Sequence, residues 1–77
     1  MKPNEIKAAR VRLGFTQEEM AEELNITVPS YRNRERGRVP FSDSEKISLM
    51  IKLQLSYQQF NDFLFDGQLP DIPTEAV

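Results

Sequence analysis

Thr16–Gly37 reads TQEEMAEELNITVPSYRNRERG, and the spacing within this stretch decides the fold. The Thr16 hydroxyl can accept from the amide of Glu19, and the Glu19 carboxylate can return to the amide of Thr16. That reciprocal capping box opens a helix. Met20, Ala21 and Leu24 fall on one face of it, at i, i+1 and i+4. Asn25-Ile26-Thr27 is the turn: Asn25 tolerates the left-handed conformation that ends a helix. Thr27 caps the next helix, and Pro29 sits in its first turn, where no N–H is missed. The spacing predicts two short helices joined by a three-residue turn, with arginines gathering on the second.

Outward from this stretch, Asn4 is the expected cap of a first helix running to about Arg12 and broken at Gly14. Ile6, Ala9 and Leu13 give its apolar stripe, and Phe15 closes that end. Gly37 ends the third helix. Arg38-Val39-Pro40-Phe41 forms a short linker in which Pro40 disfavours helix at Val39. Ser42 and Glu45 make a second capping box, opening a helix to about Leu53. Ser56 and Gln59 make a third, opening a helix to about Phe63. Asp66-Gly67 marks a turn. The expectation is an all-α fold of five helices in one domain over residues 1–67, with a short tail over 68–77. Pro70 and Pro73 make that tail extended or disordered in expectation. The expected core joins Ile6, Leu13, Phe15, Met20, Leu24, Ile26, Tyr31, Ile47, Met50, Leu53, Leu55 and Phe60. Ala21 is small where two helices must approach closely.

With 77 residues there is room for one domain and one modest core. The hydrophobic fraction, 39%, is low for a membrane protein, and no apolar run approaches the ~18 residues that span a bilayer. No secretory signal is visible. Cysteine and histidine are both absent, which removes disulfides, thiolate metal sites, the commonest general base and the commonest metal ligand. No cofactor and no metal are expected, and a cytoplasmic location is the default. Net charge is −2, but it is unevenly placed: residues 1–40 carry +2 and residues 41–77 carry −4. Local field decides nucleic-acid contact, not the total. Arg32, Arg34, Arg36 and Arg38 lie within seven residues, with Glu35 alone opposing them. The bland reading is a solvated basic face. Beside a capped helix pair, the cluster reads instead as phosphate-facing.

Two helices so joined are the plan of a helix-turn-helix, and these residues resemble the Cro/CI-type (XRE) family of phage repressors and related regulators. The matching elements are Thr16-Gln17, Ala21, Leu24, Ile26, Ser30, Tyr31 and the Glu35-Arg36-Gly37 ending. Upstream, Ile6, Ala9, Arg10 and Leu13-Gly14-Phe15 fit the family's first helix. Downstream, Ile47, Met50, Leu53, Leu55 and Phe60 look like its fourth and fifth. The resemblance covers roughly residues 4 to 65. It implies a compact five-helix, lambda-repressor-like DNA-binding domain. Small size and the FDGQLP ending look most like a small phage repressor. Asn25 stands where the family usually has Gly, which leaves the turn intact because Asn reaches positive φ. Arg34 stands where the family often has an apolar residue. Either it loosens the packing of the third helix, or its stem packs while its head reaches water.

By family position, Val28, Pro29 and Asn33 match residues that face DNA bases, and Arg32 is exposed beside them. Asn pairs bidentately with adenine, Arg with guanine, and Val28 suits the thymine methyl. For Arg32 a phosphate is an equal alternative. Gln17, at a positive helix end, matches a phosphate-binding residue of the family. Ser30, Arg36 and Arg38 complete the expected phosphate set. The plainer readings are a first-turn polar residue for Gln17 and a helix-terminal charge for Arg36. The resemblance also implies a salt bridge between Arg10 and Glu35, tying the first helix to the end of the third.

One module of this size makes few base contacts. A homodimer on half-sites about 34 Å apart is therefore expected. Phe63, Leu64, Phe65 and Leu69 are either its partner surface or a fold-back onto their own core. The leading functional expectation is a sequence-specific repressor on a double-stranded DNA operator. The alternative is an antitoxin-type interaction protein whose tail binds a partner. An enzyme is not expected: Asp43, Glu45, Asp62 and Asp66 look like cap and surface charges without convergent groups.

Overall fold

The computed structural model describes residues 1–70, and these form five helices: α1 (Pro3–Arg12), α2 (Gln17–Leu24), α3 (Val28–Glu35), α4 (Asp43–Lys52) and α5 (Tyr57–Phe65). No helix is long and apolar enough to cross a membrane among the described residues. Residues 71–77 lie outside them, and so does most of the expected tail.

Short-range chemistry starts the helices. Thr16, Ser42 and Ser56 each accept from the amide three residues on, and Glu19, Glu45 and Gln59 each return to the cap amide. All three boxes are complete, so each helix entry satisfies donors that helix geometry leaves orphaned. Thr27 caps α3 with its hydroxyl alone. The start of α1 differs from expectation. Asn4 is not the cap; the helix begins at Pro3, and Lys2 occupies the cap position without a side-chain bond. Proline there has a preset φ and no amide to satisfy. The Lys2 amide instead donates to the Phe63 carbonyl at 2.7 Å, which anchors the start of α1 to α5.

Between α2 and α3 the chain turns at Asn25, which takes the left-handed conformation at φ 58°. The Ile26 amide donates to the Ala21 carbonyl at 3.0 Å, and Ala21 is buried where the two helices meet. Gly37 follows α3 at φ 81°, and a Cβ placed there would lie 2.9 Å from the Pro3 side chain. Glycine is needed on both counts, conformation and space.

The core gathers Ile6, Ala9, Met20, Ala21, Leu24, Tyr31, Phe41, Leu49, Leu53, Leu55, Phe60 and Leu64. Phe15, Ile26 and Met50 pack against it half-buried. Two expected members are outside. Leu13 is 37% exposed because α1 has already ended at Arg12. Ile47 is 54% exposed while Leu49 is fully buried. Helix α4 carries two stripes at i, i+4: Ile47 with Ile51, and Leu49 with Leu53. Packing of α4 against α2 turns the second one inward. Phe41, read as linker, is buried with its ring 6.1 Å from that of Tyr31.

Candidate nucleic-acid interface

Helix α3 is held by its inner face. Tyr31 and Glu35, four residues apart, both point into the domain and are buried. Arg10 is 8% exposed and Glu35 4%. The Arg10 Nε donates to Glu35 Oε2 at 2.7 Å, and Nη2 donates to Oε1 at 3.2 Å. The remaining Arg10 nitrogen, Nη1, donates to the Phe15 carbonyl at 2.8 Å. The Tyr31 hydroxyl donates to Glu35 Oε2 at 2.7 Å, and Gln17 Nε2 donates to Oε1 at 3.1 Å. Each carboxylate oxygen thus accepts two hydrogen bonds. Burial pushes the Glu35 carboxyl up, but the bonds from Arg10, Tyr31 and Gln17 outweigh it and hold it below the usual carboxylate range. Burial, then the bond to Glu35, pushes the Tyr31 hydroxyl up, so it stays a donor. A forked pair this well satisfied joins α1 to the end of α3 and fixes the angle of α3.

The outer face of α3 is left to solvent. Pro29, Arg32 and Arg36 are exposed, and Arg38 is exposed just beyond the helix. Val28, Ser30 and Asn33 are intermediate. Val28 packs against the edge of the core, so it offers less surface than an exposed residue would. Ser30 Oγ accepts from the Thr27 hydroxyl at 2.8 Å, which leaves its own O–H free to donate outward. The Asn33 carbonyl accepts from the Arg38 amide at 2.9 Å, which fastens the loop after α3 to the helix.

The four clustered arginines are not alike. Arg34 turns away from the outer face: its Nε donates to Glu45 Oε1 at 3.0 Å, and its Nη1 to the Ser30 carbonyl at 3.2 Å. Glu45 is also the returning half of the α4 capping box. Arg34 therefore ties α3 to the start of α4, and packing is braced there rather than loosened. Glu35 does not oppose the cluster either, since Arg10 neutralises it. The outward cations are Arg32, Arg36 and Arg38, none in a salt bridge among the described residues.

Gln17 stands at the first position of α2, half-exposed. While its Nε2 binds Glu35, its Oε1 accepts from Arg32 Nε at 3.1 Å. Glu18 and Glu19 share this first turn and offset part of the positive field of the helix end. Spacing along the chain gave no sign of this link, which joins residues 15 and 18 positions apart.

On α5, Leu64 is part of the core and is withdrawn from any partner surface. Phe63, Phe65 and Leu69 are half-buried against the same core. The Leu69 amide donates to Asn61 Oδ1 at 2.8 Å, and Asn61 Nδ2 donates to the Leu69 carbonyl at 3.0 Å. These exchanged bonds lay the start of the tail along α5.

Against known proteins, a helix-turn-helix family model matches residues 6–59, which span α1 to the first turn of α5. The chain belongs to this XRE-type helix-turn-helix family, a family of DNA-binding transcriptional regulators rather than of enzymes. No curated protein and no solved structure matches.

Proposed function

We propose that this protein is a repressor that binds a two-fold operator as a homodimer, with the outer face of α3 in the major groove. The observation that carries the reading is the division of α3: its inner polar groups are saturated, while Pro29, Arg32, Arg36 and the neighbouring Arg38 are exposed. A helix held this firmly presents its outer side chains at a fixed angle, as base readout needs.

In this reading Asn33 and Arg32 make the polar base contacts, and Val28 and Pro29 give apolar contact near the start of the helix. Gln17 and Ser30 reach phosphates at the near strand. Arg36 and Arg38 clamp the backbone beyond the last turn, which sets register without reading sequence. Repression follows from occupancy, because an operator overlapping a promoter excludes polymerase while the dimer sits on it. The small-phage-repressor likeness of the sequence agrees with such a role in a bacterial cytoplasm.

The test is selection of bound sites from a random duplex library at near-physiological salt. A two-fold motif with half-sites about one helical turn apart supports the reading. Binding with no enriched motif overturns it.

A further inference from the structure

We infer that Gln17 is a positioning residue for Arg32, locking its guanidinium so that Arg32 reads a guanine end-on through Nη1 and Nη2. This rests on the operator reading above and adds to it the identity of one base and the residue that enforces it.

The inference follows from the Gln17 amide. Nε2 donates to Glu35 Oε1 at 3.1 Å, and Oε1 accepts from Arg32 Nε at 3.1 Å. The opposite orientation would set a carbonyl oxygen against a carboxylate and an amide N–H against a guanidinium N–H. Both contacts repel, so one orientation survives. Glu35 is itself immobile, held by Arg10 and Tyr31 in the buried interior. A continuous chain therefore runs from the rigid core through Glu35 and Gln17 to a side chain on the exposed face of α3.

That chain takes up one specific nitrogen of Arg32. With Nε bonded to Gln17 at the surface, the side-on fork of Nε and one Nη is taken up. Nη1 and Nη2 find no partner among the described residues, and their fork matches guanine O6 and N7. Arg32 lies mid-helix on the outward face, whereas Arg36 caps the helix end and Arg38 follows it, where the operator reading places the DNA backbone. Guanine is thus the favoured occupant. Gln17 also keeps its second amide hydrogen. A phosphate bound there and the base bound by Arg32 meet on one side chain, so backbone docking and base readout are coupled.

The test compares selected-site profiles of the wild type, Gln17→Met, Arg32→Lys and the double variant. Gln17→Met keeps length and loses both hydrogen bonds; Arg32→Lys keeps charge and loses the fork. The wild type is expected to prefer guanine at one position per half-site by about tenfold or more. Both single variants are expected to blunt that same guanine, and the double variant to lose no more there than Arg32→Lys alone. Thermal melts accompany each profile. Arg32→Lys touches no core residue, so its profile can overturn the inference even if Gln17→Met melts early. If Gln17→Met weakens all sequences equally and spares the guanine, Gln17 does not position Arg32 and the inference is wrong. If Arg32→Lys weakens all sequences equally, Arg32 binds phosphate, and the inference is wrong at its other end. A wild type that selects no motif removes the operator reading before any substitution is made.

Discussion

On the inner face of α3, Tyr31 and Glu35 stand four residues apart with every polar atom partnered. On the outer face, Arg32 and Arg36 stand four residues apart and are exposed. Both faces are polar, and the helix as a whole has almost no apolar stripe. The difference is whether the partner is already inside the protein. Arginine shows this most plainly. Arg10 is buried and consumed by Glu35 and Phe15, Arg34 is clasped by Glu45, and Arg32, Arg36 and Arg38 face outward. Residue type therefore does not distinguish a structural arginine from an outward-facing one; the number of hydrogen bonds it makes within the protein does.

The largest expected effect breaks the inner face. Arg10→Met leaves the Glu35 carboxylate buried without its cation and is expected to lower stability by about 3–5 kcal/mol, read by urea denaturation. A loss below about 1 kcal/mol would put the pair in the class of surface bridges. The outer face is expected to respond in affinity instead. Asn33→Ala is expected to cost about 1–3 kcal/mol on the selected site and far less on random duplex, with the melting temperature unmoved. Equal losses on both DNAs would remove Asn33 from base readout. Arg38→Ala is expected to weaken all sequences alike and to reduce the salt slope by about 1; titrations across a salt series check this, and an unchanged slope takes Arg38 out of the phosphate set.

Acid sharpens the same contrast. Glu35 is held below its unfolded value, so its contribution to stability is full above the ordinary carboxylate range and is lost as pH falls through the depressed value. Wild-type stability is expected to fall on that acid limb, and the limb is expected to flatten in Arg10→Met, where burial raises the carboxyl instead. Stability curves of both proteins between neutral and acid pH show which holds. The smallest expected effect belongs to the correction in α4. Ile47→Ser is expected to stay within about 0.5 kcal/mol of wild type because the side chain is exposed, whereas Leu49→Ala, in the core, is expected to cost about 2–5 kcal/mol. Matching losses would restore Ile47 to the core.

What the sequence made legible was local. The three capping boxes and the Asn25 turn are each settled within a few residues, and four of the five helix starts follow from them. The first helix starts two residues earlier than expected: Asn4 is a good cap, yet Pro3 already suits the first helical position. The core was less legible where patterns compete: α4 offers two apolar stripes of equal period, and only packing against α2 picks Leu49 over Ile47. Phe41 was hidden by its place in a linker. The candidate interface was legible as a cluster of basic residues, but not the partition of that cluster into bonded and outward-facing arginines. Nothing in the spacing of Arg10 and Glu35, 25 positions apart, announces their contact; the register of the family does. The Arg34–Glu45 and Gln17–Arg32 links join different helices and had no local signal at all.

The central claim is that DNA meets the outer face of α3. Backbone amide NMR of the full chain, titrated with a selected duplex, tests it most directly. The account predicts shifts concentrated at Gln17 and across residues 28–38, with α5 unmoved. Shifts centred on α5 or on the exposed Ile47–Ile51 side of α4, with residues 28–38 silent, would contradict it.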